Sequence, residues 1–199
     1  KFTHGTITKI FDVDSRKVPD TITKGSYTRN LGYKYPSPET PITIIDNRAD
    51  TITQNNTKEW PGFKSEIEQF SDFSEFTKTV SVEEMGSMSV SAMVADEEAD
   101  IPTKFMTTNT TERVFFMLNG ITHHTMNHTE LKNKFGLSNL KEDCFVFIEC
   151  STLEFDFTDI FKTDRTKMLT EKRKAAKLLN TIQQTFKNWT APQQLNKER

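Results

Sequence analysis

The sequence predicts an α+β fold: an antiparallel or mixed sheet, an acidic amphipathic helix over about 63–78, and a long basic helix over about 164–189 near the C-terminal end. Three observations carry this. Apolar residues recur every three or four positions from Phe63 to Val80, and again from Met168 to Trp189, as on the buried stripe of a helix. Between Thr79 and Val94 the period falls to two, which suits a half-buried strand pair. The run Cys144 to Ile148 is apolar without interruption, as in a central strand covered on both faces.

A chain of 199 residues is the size of one domain. We divide it into a strand- and loop-rich region (1–60), a helix-plus-sheet core (61–162), and a basic helix with its tail (163–199). Hydrophobic residues make up 34% of the chain, which is low for that size, so the 16 phenylalanines have to fill much of the core.

The first element is a strand from Thr6 to Val13, ended by Asp12, Asp14 and Ser15. A connection rich in Gly and Pro leads to a short strand at Ile42–Ile45. Trp60-Pro61-Gly62 then breaks the pattern, and the acidic helix begins, its stripe being Phe63, Ile67, Phe70, Phe73, Phe76 and Val80. Ser87, Ser89 and Ser91 alternate with Met88, Val90 and Ala92, and Glu83-Glu84-Met85-Gly86 supplies the turn between two strands. An acidic loop follows at 95–102. Glu112 to Leu118 is a strand ended by Asn119-Gly120, and Glu130 to Phe135 forms a short helix before Gly136. After the central strand, Leu153, Phe155 and Phe157 continue the alternation, and Asp164 is placed to cap the basic helix.

The segment 63–118 is similar to part of the membrane attack complex/perforin family. The likeness rests on the Phe-striped segment, on Thr79-Val80-Ser81-Val82 and Ser89-Val90-Ser91-Ala92, and on the run Thr110 to Leu118. Phe135-Gly136-Leu137-Ser138 is the nearest approach to that family's aromatic-Gly-Thr-His-aromatic signature. The resemblance implies a bent sheet flanked by helices, and a pore-forming toxin that oligomerises at a membrane. Under it, Ser87, Ser89 and Ser91 belong to the strands that meet the membrane or partner.

A second resemblance is local. Ile10-Phe11-Asp12-Val13-Asp14 resembles the first motif of haloacid dehalogenase-like phosphatases, which implies Asp12 as nucleophile, Asp14 as acid/base and a magnesium ion between them. Apart from that alternative, no catalytic residue and no cofactor is implied. His124 and His128 would share a face as zinc ligands do if this stretch were helical, with Glu130 as a third group.

The formal charge of −2 conceals an asymmetry. Residues 162–199 hold ten Lys or Arg against three Asp or Glu, a net +7, which leaves 16 basic and 25 acidic residues, or −9, in the rest. The cationic face of the last helix is built from Arg165, Lys172, Arg173, Lys174 and Lys177. It meets either its own acidic body, through the Phe-striped helix, or an anionic partner such as a membrane surface, an acidic protein or nucleic acid.

Cys144 and Cys150 lie six apart in a strand-like run, about 20 Å at ~3.3 Å per residue, too far to bridge. No signal-peptide pattern and no run of about 20 apolar residues occurs. Asn55, Asn109, Asn127 and Asn188 head Asn-x-Thr triplets that would accept glycans in a secreted protein. Taken together, these features point to a non-catalytic binding or assembly module.

Overall fold

The computed structural model describes residues 32–39, 42–45, 57–69, 72–97, 112–164 and 167–199. Its centre is a five-stranded sheet in the order β3-β4-β7-β5-β6. The strands are β3 Phe73–Val82, β4 Gly86–Ala95, β5 Glu112–Leu118, β6 Ile121–Asn127 and β7 Cys144–Glu149. β5 and β7 run parallel and the other neighbours antiparallel, so the sheet is mixed. A separate ribbon pairs β1 Ile42–Ile45 with β2 Thr57–Trp60.

β7 lies in the middle of the sheet, where its run of Phe, Val and Ile places it: Cys144 to Ile148 are all buried. Because side chains alternate across a sheet, one face carries Val90, Ala92, Val114, Phe116, Val146 and Ile148 into the main core. The other face carries Met93, Phe115, Met117, Phe145 and Phe147 into a smaller one with Trp60, Phe63 and Ile67. Phenylalanine fills both, as the composition requires. Phe115, Phe116, Phe135, Phe145, Phe147, Phe161 and Phe186 are among the largest fully buried side chains.

The acidic helix expected over 63–78 is much shorter. α1 spans Phe63–Glu68, and from Phe73 the chain is strand. Thr77, Thr79, Val80 and Val82 are β-branched and favour a pleated backbone. A ladder from Phe73↔Ala95 to Val82↔Gly86 then pairs every residue of β3 with β4. The spacing of three and four misled because it crosses two elements on opposite faces. Phe63 and Ile67 pack into the smaller core, whereas Val80 and Val82 pack into the main one.

Glu83-Glu84-Met85 closes this hairpin as expected, with the Met85 amide donating to Val82 O at 3.0 Å. Asn119 and Gly120 connect β5 to β6, both at positive φ (51° and 69°), the type I′ geometry that Asn-Gly favours. From β6 the chain enters α2, His128–Phe135. Its capping box pairs the Asn127 side chain with the Glu130 amide, and the Glu130 carboxylate with the Asn127 amide. Gly136 ends it at φ 75°. This β6–α2 excursion lets β7 return parallel to β5.

After β7 the chain leaves the sheet instead of continuing as a strand through Leu153 and Phe157. The Leu153 amide turns back to Cys150 O, and Phe157–Ile160 forms a single helical turn, α3. The basic helix also starts later than Asp164 suggests. α4 spans Arg173–Lys187 with Lys172 at its N-cap. Upstream, Phe161 bridges Met168, and the Leu169 amide donates to Ile160 O at 2.7 Å, so these groups are satisfied by a sheet-like contact instead of a helix. The apolar stripe itself is as expected: Ala175, Leu178, Leu179, Ile182 and Phe186 are buried.

A last helix, α5 Thr190–Glu198, is clamped by polar contacts. Asn196 Oδ1 accepts from the Asn139 amide at 2.9 Å, and its Nδ2 donates to Gly136 O. Arg199 donates to Ala95 O at 2.6 Å. Among the described residues no helix is long and apolar enough to cross a membrane.

Candidate functional site

Ten residues long, β3 forms one edge of the sheet among the described residues. Alternation divides its side chains. Thr77, Thr79 and Ser81 face away from the main core, opposite Ser91, Ser89 and Ser87 of β4. Val80 and Val82 point into that core, and Lys78 shares their side of the strand.

Beside this edge runs α4. Arg173 and Lys177, in its first turns, reach the turn at the far end of β3, and Trp189, just past its end, lies under the Lys78 ammonium at 5.9 Å. Helix and strand are therefore roughly antiparallel. Between them is an open groove of about 510 Å³, lined by Lys78, Asn180, Thr181, Gln184, Thr185 and Asn188. Asn180, Gln184 and Asn188 are exposed, and none of their carboxamides has a hydrogen-bond partner among the described residues. Lys78 is the groove's one charged residue and makes no ion pair among the described residues.

The cations singled out in the sequence are mostly answered within the protein. Lys177 Nζ lies 2.7 Å from Glu83 Oε2 and 3.2 Å from Glu84 Oε2. The Glu83 hydrogen bond raises the Lys177 pKa, and Lys177 in turn holds the Glu83 carboxyl below its ordinary value. Arg173 contacts Glu84 at 3.3 Å, Lys174 pairs with Asp159 at 2.9 Å, and Lys172 donates to Thr158 O. The anionic counterpart is thus the β3–β4 turn together with α3. The expected acidic helix α1 lies on the opposite side of the sheet, where its Lys64 pairs with Glu68 and with Glu75 of β3.

The three serines are not equivalent. Ser89 is exposed, and Ser87 is half-buried with its hydroxyl 3.2 Å from that of Ser81. Ser91 is buried and donates to Glu75 at 2.5 Å, the main reason the Glu75 carboxyl titrates below its ordinary value. It is therefore not an exposed contact residue.

His124 and His128 do not share a helical face. His124 is on β6, packed on Phe116 with ring centroids 5.4 Å apart, and His128 is the first residue of α2. Burial pushes the His124 imidazole down to about 4, with Glu130 opposing and Lys134 adding to the shift. His123 packs against Phe157 and Phe161. Among the described residues no three His, Cys, Asp or Glu groups are close enough to hold a metal ion. Both cysteines are free and buried, with burial raising the Cys144 thiol to about 12 and raising Cys150 as well. Asp12, Asp14 and Arg165 lie outside the described residues.

The groove was missed in the sequence because its cation, Lys78, and its carboxamides lie on different elements. A signal was present in Asn180, Gln184 and Asn188, whose spacing of four puts three carboxamides on one helical stripe. Compared with protein-family models, curated proteins and solved structures, the chain gives no match.

Proposed function

We propose that this protein is a non-catalytic binding module that takes up an extended polypeptide as a further strand along β3. The supporting observation is the ten-residue edge strand bordering an open groove in which the Asn180, Gln184 and Asn188 carboxamides have no hydrogen-bond partner among the described residues. An edge strand presents backbone N–H and C=O groups that a second strand can pair, with alternate side chains held by the neighbouring surface. Parallel neighbours would cost little, but antiparallel addition forms the better-directed ladder. Titrating isotope-labelled protein with a capped peptide of alternating threonine and valine tests this. Chemical-shift changes confined to β3 and to residues 180–188 are expected; an unchanged spectrum would reject the reading.

A second reading has its own support. β3 and β4 are each ten residues long, within the roughly 9–11 that a membrane-spanning strand needs, and hydroxyl and apolar residues alternate in them over Thr79–Val82 and Ser87–Ala92. That suits the perforin-like resemblance, with the hairpin refolding at a membrane after oligomerisation. It would require Val80, Val82, Met88 and Val90 to leave the main core, so we rank it below strand addition. Liposome leakage accompanied by oligomers on a gel would favour it, and monomers that leave vesicles intact would exclude it.

A further inference from the structure

We infer that the groove selects an acidic strand, with a carboxylate directed at Lys78 and polar residues at every second position along α4. This deepens the strand-addition reading and rests on it.

The polar positions follow from two repeats. Residues four apart on a helix rise by about 6.0 Å, and residues two apart on a strand by about 6.7 Å. Asn180, Gln184 and Asn188 therefore keep step with alternate residues of an extended chain laid antiparallel or parallel to β3, drifting only about 1.4 Å over the three contacts. Each carboxamide can both donate and accept, so hydroxyl and amide side chains satisfy them and apolar ones leave them unpaired.

Lys78 decides the charge. It is exposed, its ammonium lies 5.9 Å from the centre of the Trp189 ring, and the four cations at the N-terminal end of α4, from Lys172 at the N-cap to Lys177, are already engaged by Glu83, Glu84, Asp159 and Thr158. An incoming carboxylate thus meets the Lys78 ammonium, which no carboxylate of the described residues compensates. A second copy of this chain fits less well. Antiparallel pairing of two β3 strands over their full length sets Thr77 of the second copy opposite Lys78, which supplies no carboxylate there.

Fluorescence anisotropy with two labelled, capped peptides of alternating threonine and valine, one with a central aspartate and one with a central asparagine, tests the inference. At low salt the aspartate peptide should bind about three- to fivefold more tightly, as one partly exposed ion pair allows, and the difference should shrink as salt screens it. Lys78→Met removes the ammonium while keeping an unbranched side chain of similar size and should abolish the difference, with circular dichroism verifying the fold. Equal binding of both peptides to the unaltered protein would overturn the charge preference and leave strand addition standing. If neither peptide binds, strand addition falls and the preference with it. If Lys78→Met instead drives self-association while the peptide preference persists, Lys78 only guards the edge, and the assignment is wrong.

Discussion

Lys177 of α4 and Glu83 of the β3–β4 turn form a 2.7 Å ion pair, and Glu84 holds both Lys177 and Arg173. Much of the cationic surface of the C-terminal region is thereby spent on its own sheet. Nucleic-acid binding should accordingly be weak. Replacing Glu83 and Glu84 together by Gln releases both cations, so affinity for duplex DNA should rise and its salt dependence steepen, by a slope of about −0.9 for each phosphate newly neutralised. Filter binding across a salt series measures this. A steep slope in the unaltered protein would show that other cations already bind DNA.

His124 makes stability depend on pH. Its folded pKa of about 4 lies below the ordinary 6.5, so the unfolded chain binds the proton more readily. The His124 contribution is complete above pH 6.5 and is lost as pH falls through the window down to about 4. At pH 5 the loss should be about 2 kcal/mol. Urea denaturation at pH 7.5 and pH 5 would show it, and His124→Phe, which retains a ring against Phe116, should flatten that difference.

Gly120 tolerates no side chain. A Cβ there would stand 1.6 Å from Ser37 O, and φ is +69°. Gly120→Ala should destabilise by more than about 1 kcal/mol. Gly86→Ala is the informative comparison: φ is +95°, but the nearest atom, Thr152 O, is 3.5 Å away. It should cost backbone strain alone and lower the melting temperature less.

The two thiols should be silent in the folded protein. Cys144 and Cys150 are fully buried, and burial raises both pKa values, so neither supplies thiolate near neutral pH. A thiol reagent should label neither until denaturant is added. Rapid labelling of Cys144 under native conditions would place the central strand β7 nearer solvent than described.

What was legible in the sequence was set by local chemistry. β7 could be read because no alternative explains Phe145 to Ile148, and the β5–β6 turn because Asn119-Gly120 has few other uses. The buried stripe of α4 followed from Leu179, Ile182 and Phe186. The rest depends on partners distant in the chain. Phe73 and Phe76 fit a helix until β4 is there to pair with them, and Asp164 looks like a cap until Phe161 meets Met168. The groove was hidden for the same reason. Its carboxamides are on α4 and its cation on β3, and only the packing of the basic helix beside the edge strand brings them together.

Hydrogen exchange at β3 tests strand addition most directly. In the free protein, the β3 amides that do not donate to β4 should exchange quickly. On addition of the aspartate-containing Thr/Val peptide, these alternate amides between Phe73 and Val82 should become protected, while β6 at the far edge stays unchanged. Protection at β6, or saturable peptide binding that leaves the β3 amides exchanging as before, would contradict the account.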